Sequence, residues 1–353
     1  MQIDPRTMNV VHLENSTEFQ LYASESISKM NGLTQFGLIL QVLVSSLGDH
    51  VKIGPCTLVI NPACPDPTIK FYLYTRKNQF NAQLVTVDNI TDSYFHRDHK
   101  NKLIIHGFNS GWKLDELQNI KDEYIKREDV NVWMIDYGVL SAGPLECYPA
   151  AVYNLRFVGI CSTSMVKAIL NYSLVKNSAE ALHIIGFSLG AHMPSHISRH
   201  ISPIKLSRIT GLDPALPLFY GLNNITQLSK HDADFVDVIH TNSLVQGQVK
   251  PCGHVDFYVN GGITQPACDN STNPSKCNHH MAPRYFAESI NSIKGFWAWP
   301  CSSIFDYYNE KCPVKGEQKL MGESCDTNST GYYVLDTYKH YPYAMGKRSD
   351  SEH

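Results

Sequence analysis

The chain has 353 residues, 43% of them hydrophobic, and a formal charge of −3. That length and apolar content allow one large domain, or two smaller ones, with a sizeable core. The near-balanced charge, with no basic run, excludes the electrostatic footprint of a nucleic-acid binder, and no nucleic-acid partner is expected.

In chain order, residues 1–29 are polar and charged and are expected to be a non-structural N-terminal extension. From Met30 the chain reads MNGLTQFGLILQVLVSSLGD, uncharged until Asp49. Its apolar centre has the length of a signal-peptide hydrophobic region and is too short and too polar to span a bilayer. Residues 30–48 are therefore expected to be a signal peptide, with Met30 as the working start and cleavage near residues 46–48. The competing reading is an amphipathic helix in an ordered extension. The ten cysteines are an even number, widely spread and without a C-x-x-C pair, which predicts disulfides and an oxidising compartment. Sequons at Asn89, Asn171, Asn224, Asn270 and Asn328, with a further one at Asn15, fit a secreted glycoprotein.

The pattern predicts strands over 69–76, 84–87 and 102–106, a helix over 115–126, and a strand over 131–136. A helix over 152–170 carries apolar positions at Val152, Leu155, Val158, Ile160, Met165, Val166 and Ile169. A buried strand over 182–185 runs into Gly186-Phe187-Ser188-Leu189-Gly190, after which Ala191, Met193 and Ile197 take helical spacing. Strands follow over 208–212, 235–239 and 255–259, then a helix over 284–293 and a strand over 332–335. Strands alternating with helices predict an α/β fold with a central, mostly parallel sheet flanked by helices, in one domain over 49–353.

Strand, G-x-S-x-G, helix is the context in which that motif has a mechanical meaning. The serine sits on a sharp turn, and the helix that follows aims its free N–H groups at the reaction centre. Ser188 is thus the candidate nucleophile, and Leu189 N–H a candidate oxyanion donor. A second donor should come from a loop after an earlier strand, and Phe108 N–H, in His106-Gly107-Phe108, fits. The acid should end a strand after the nucleophile. Asp213 does so, whereas Asp232 and Asp234 precede a strand and Asp237 lies within one. Among sixteen histidines the pattern favours His279 or His280, in a loop beside Cys277, over His240 and His254.

Six motifs stand in order: LIIHGF at 103–108, GFSLGAH at 186–192, GLDPA at 211–215, DADFVDVIHTN at 232–242, GHVDFYVNGG at 253–262 and Cys277-Asn278-His279. From about residue 60 onward the chain resembles the pancreatic lipase family of secreted α/β-hydrolases. The resemblance implies an α/β-hydrolase fold and no cofactor. It places a catalytic triad on Ser188, Asp213 and His279, with His280 not matching, and oxyanion donors on Phe108 and Leu189. Three positions depart from the family: Phe187, where histidine is frequent; Leu216, in place of a glycine; and Pro194, which is expected to kink the helix after the elbow. The family's C-terminal β-sandwich domain is not expected here, so neither is a colipase partner. Of the charged ligands of the family's calcium site only Asp232 has a counterpart, with Asn224, Gln227 and Ser229 at the other positions, so no metal is expected.

The family's lid lies between two cysteines, which would here be Cys268 and Cys277; a second pairing is expected between Cys301 and Cys312. The enclosed residues, 269–276, are all polar apart from Pro274, and the loop over 241–252 is also short. Such a lid presents no apolar face to fat and is similar to that of the phospholipase A1 branch. The expected function is a secreted hydrolase of the sn-1 acyl ester of phospholipids, acting on lipid at a membrane or lipoprotein surface. The alternatives are a triacylglycerol lipase or galactolipase, a soluble-ester hydrolase, and a non-enzymatic yolk or storage homologue that binds lipid. Trp112, Trp297 and Trp299 are either lipid contacts or core residues.

Overall fold

The computed structural model describes residues 50–175, 181–219 and 226–348. The extension and signal segment expected over 1–48 lie outside the described residues, as do the sequons at Asn15 and Asn224.

A short antiparallel ribbon, β1 (His50–Ile53) and β2 (Cys56–Val59), precedes the main sheet. The sheet contains β3 (Lys70–Tyr74), β4 (Gln83–Val85), β5 (Lys100–Ile105), β6 (Val130–Asp136) and β7 (His183–Phe187). It continues with β8 (Leu206–Leu212), β9 (Ala233–His240), β10 (Val255–Val259), β11 (Phe296–Pro300), β12 (Lys319–Met321) and β13 (Gly331–Leu335). Their spatial order is β12-β11-β13-β10-β9-β8-β7-β5-β6-β3-β4. Neighbours from β13 to β6 pair parallel, while β3, β4, β11 and β12 pair antiparallel at the two margins. This is the expected α/β-hydrolase architecture.

The helices are α1 (Asp115–Arg127), α2 (Gly138–Ser141), α3 (Tyr148–Tyr172), α4 (Met193–His200), α5 (Pro274–Asn291) and α6 (Ile304–Tyr308). Helices α3 and α4 cover one face of the sheet and α1 and α5 the other, giving two cores. Val158, Met165 and Ile197 lie in the first core, and Leu117, Tyr124 and Phe286 in the second. Central parallel strands are covered on both faces, so they read as continuous apolar runs, and every residue of β7 and β8 is buried. Burying a side chain such as Ile184 or Ile185 contributes about 1.5–3 kcal/mol. Trp299 is 3% exposed and donates its indole N–H to Cys312 O at 2.9 Å, so it belongs to the core. Trp112 stacks on Tyr72 with ring centroids 4.1 Å apart.

Buried charged groups of the central strands are paired. Between β8 and β9, Arg208 grips Asp237 with two bonds of 2.9 and 3.1 Å, and Lys102 Nζ of β5 meets Glu323 at 2.7 Å. Tyr124 donates its hydroxyl to the other oxygen of Glu323 at 2.5 Å. Disulfides Cys56–Cys147 and Cys64–Cys161 fasten the ribbon and the segment after it to the start and the middle of α3, and Cys268–Cys277 and Cys301–Cys312 are also formed. Cys252 and Cys325 are free thiols, packed against the cores on opposite faces of the sheet, so they cannot join each other.

Three buried histidines make the fold acid-sensitive. Burial, then the nearby cations Arg208 and Lys102, depresses His183 to about 3. Burial depresses His192 to about 4, and burial followed by Arg199 depresses His196 to about 3. Below an unfolded value of about 6.5 the unfolded chain therefore binds more protons than the native one, and stability falls as pH falls. Urea midpoints measured from pH 7.5 down to 5 should drop steadily; a flat profile would contradict these histidines being neutral in the native state.

Candidate active site

The site is built by register. Ile105 pairs with Gly186, Phe187 with Leu212, and Leu212 with Ile239. The loops leaving the carboxyl ends of β5, β7, β8 and β9 therefore start side by side at one edge, where such sheets hold their ligands.

Ser188 leaves β7 with φ of 56°, a left-handed conformation that a non-glycine residue adopts only when its surroundings impose it. The flanking glycines show what imposes it. A Cβ on Gly186 would lie 2.5 Å from Gly190 O, and one on Gly190 would lie 2.2 Å from His106 O. The chain then forms a 3-10 turn, Ser188–His192, that leads into α4. Pro194 occupies the first turn of α4, where its missing N–H leaves no bond unmade. The kink expected from it is not required, because α4 proper begins at Met193, later than the sequence suggests.

Asp213 follows β8 with φ of 43° and is 0% exposed. Its Oδ1 accepts Thr241 N–H at 2.8 Å and Asn242 N–H at 3.1 Å, and its Oδ2 accepts His279 Nδ1–H at 2.5 Å. With Nδ1 committed to the carboxylate, Nε2 is the ring nitrogen free to take a proton. A Cβ on Gly247 would sit 2.3 Å from Asp213 Oδ1, so the loop after β9 needs glycine there. These backbone groups escaped the sequence reading; the only trace of them is the HTN that closes DADFVDVIHTN.

His279 does not lie in a loop, as the sequence suggested. Helix α5 begins ten residues before the predicted start, with Asn273 as its N-cap accepting Lys276 N–H at 3.1 Å and Pro274 in its first turn. The Cys268–Cys277 disulfide ties that first turn down, and the His279 ring rests 4.7 Å from that of Phe187. His280 points elsewhere, with Nδ1 3.3 Å from Glu116. Burial resists ionisation of Glu116, but hydrogen bonds from His280 and Arg284 prevail and hold its carboxyl at about 2. The other acids are engaged away from His279: Asp237 with Arg208 and Thr210, and Asp234 with Lys205 at 2.7 Å. Asp232 accepts from Ser195 Oγ at 2.7 Å, Ser198 Oγ at 3.1 Å and Ser229 N–H at 2.7 Å.

The loop after β5 closes the site. A Cβ on Gly107 would lie 2.8 Å from Ser188 Cβ, so the residue before Phe108 packs directly against the serine. The Phe108 ring meets Tyr148 edge-on with centroids 5.2 Å apart. A hydroxyl on a strained turn and, at the same sheet edge, an imidazole oriented by a buried carboxylate are groups suited to acyl transfer through a covalent intermediate.

Two outcomes follow. Gly190→Ala should be inactive and destabilised by about 1–3 kcal/mol, because its methyl would collide with the His106 carbonyl; an active, stable variant would contradict the elbow geometry. Asp232 is satisfied by protein donors, and Gln227, five residues earlier, accepts from Gln248 at 2.8 Å. Thermal unfolding should therefore be the same with and without a calcium chelator.

The family model described as Lipase matches residues 57–343. The chain is 36% identical over 273 residues to pancreatic lipase-related protein 2 of Cavia porcellus, covering 73% of this chain and 60% of that protein. It is 35% identical over 282 residues to pancreatic triacylglycerol lipase of Sus scrofa, covering 72% and 61%. It thus spans about 60% of the length of these relatives. Among solved structures, MGS-M1, an α/β hydrolase from a Medee basin deep-sea metagenome library, aligns at a TM-score of 0.31 and 15% identity, covering 56% of this chain and 72% of that one. The match across most of the chain places it plainly: the chain belongs to the lipase family.

Proposed function

We propose that the chain is a carboxylic-ester hydrolase of lipids, in which Ser188 attacks the acyl carbon, His279 shuttles the proton, Asp213 orients the imidazole, and the N–H groups of Phe108 and Leu189 receive the oxyanion. The observation that carries this reading is the 2.5 Å bond from His279 Nδ1 to a fully buried Asp213, at the edge where Ser188 stands strained. An acyl-enzyme forms as the alcohol leaves with a proton from His279. Water then repeats the sequence in reverse and releases the fatty acid.

The preferred substrate is a phospholipid cut at its sn-1 ester. What supports this is the strap between Cys268 and Cys277. Its disulfide closes a separation of nine residues, Asp269, Asn270 and Thr272 are exposed, and Gln246 donates to Ser275 Oγ at 2.7 Å, binding the strap to the loop after β9. A strap this short and polar cannot cover the site with an apolar face, and its rim suits a charged headgroup. Neutral glyceride hydrolysis is the second reading. It is favoured by relatives named triacylglycerol lipase and by the exposed Leu244 and Val245 beside the strap. An extracellular setting is supported by the four disulfides and by exposed sequon residues Asn89, Asn171, Asn270 and Asn328.

The purified mature chain should release fatty acid from the sn-1 position of phosphatidylcholine faster than from triolein, and Ser188→Ala should lower turnover on the order of a millionfold. Equal activity in Ser188→Ala would refute the mechanism. Triolein turnover with little phospholipid cleavage would refute the substrate assignment and leave the mechanism standing.

A further inference from the structure

We propose that Tyr137 and His106 are positioning residues that aim the oxyanion peptide of this site before substrate arrives. The proposal rests on the reading of Ser188 as nucleophile and of Phe108 N–H as an oxyanion donor.

A planar trans peptide points its C=O and N–H in opposite directions. Phe108 N–H shares its peptide unit with Gly107 C=O, so whatever holds the Gly107 oxygen also aims the Phe108 donor. His106 holds it, with Nδ1 2.8 Å from Gly107 O. A carbonyl oxygen can only accept, so this contact requires the proton on Nδ1, while Nε2 lies 3.2 Å from Tyr137 N and 3.6 Å from Asp136 Oδ1. Tyr137 fixes the preceding peptide in turn, its hydroxyl donating to His106 O at 2.5 Å. The two rings stack, with centroids 4.2 Å apart and planes 14° from parallel. Beyond the donor, Asn109 takes φ of 47° and gives its N–H to Ser141 O at 2.7 Å.

The loop from His106 to Asn109 is thus held at three backbone points, and two of the partners, Tyr137 and Ser141, belong to one neighbouring segment, the end of β6 and α2. His106 is 0% and Tyr137 1% exposed, so water does not compete for these bonds. Burial, with Tyr148 and Asp136 adding to it, pushes the Tyr137 phenol above its ordinary range and keeps it a donor throughout the neutral range. An oxyanion hole clamped from beneath needs no strap movement to assemble. That agrees with a site whose strap is too short to swing.

The test uses the full chain and a soluble short-chain p-nitrophenyl ester, with an alkylboronic acid as mimic of the tetrahedral intermediate. Tyr137→Phe keeps the stacked ring and loses only the hydroxyl. It should lower kcat by about 10-fold or more and weaken boronate binding by a similar factor, because an oxyanion donor acts in the transition state. KM should stay within about twofold, and the pH of half-maximal activity, which reports the base, should not move. A folded Tyr137→Phe with kcat and boronate affinity unchanged, or with a loss confined to KM, overturns the proposal. The second arm covers a failure of that variant to fold. His106→Asn can present an amide donor near the Nδ1 position and should retain more kcat than His106→Gln; equal loss in both overturns the proposal. Ser188→Ala is run beside them. Activity close to that of the unsubstituted chain there overturns the underlying nucleophile reading, a result distinguishable from failure of the clamp.

Discussion

The site depends on burying one carboxylate. Asp213 is wholly inside the protein, and a lone ionised group there would cost many kcal/mol. The structure meets that demand with two backbone N–H groups, from Thr241 and Asn242, and one imidazole, from His279. Each requirement propagates outward. The amides need β9 to end level with β8, which the pairing of Leu212 with Ile239 provides. The approach of the loop needs glycine at 247, and the imidazole needs α5 anchored, which the Cys268–Cys277 bond and the Asn273 cap supply.

Much of this was legible in the sequence, because parallel strands buried on both faces read as apolar runs that stop at Gly, Asp or Pro. The segment over 255–259 was placed to the residue. The elbow was legible because strand, two glycines and helix converge within a few residues. Less legible was α5. The helix expected over 284–293 in fact runs through Pro283, and the N–H this proline lacks is the one that would have reached the His279 carbonyl. Strands β1, β2 and β12 have four, four and three residues, too few for a period to show. The surroundings of Asp213 were hidden for a different reason: backbone amides carry no residue signature.

The sheet also separates its charges from its chemistry. Lys102, Arg208 and Asp237 lie three or four residues before the ends of β5, β8 and β9 and meet Glu323 or one another there, away from the edge that carries Ser188. Buried pairs of this kind contribute little net stability, but losing one partner leaves a charge uncompensated. Their bonds reach the Gly322 and Glu323 carbonyls, so the chain leading into the last strand is fastened to the centre of the sheet.

The loop after β9 has a base and a tip with separate roles. Its base supports Asp213 through main-chain amides, which any residue but proline can supply, while at its tip Leu244 and Val245 are 58% and 50% exposed beside the strap. Side chains at the tip can therefore be exchanged without disturbing the acid. Such a loop lets selectivity drift during descent while the reaction is inherited intact, and it marks the tip as the stretch where a library of variants would explore new substrates at least risk to the chemistry.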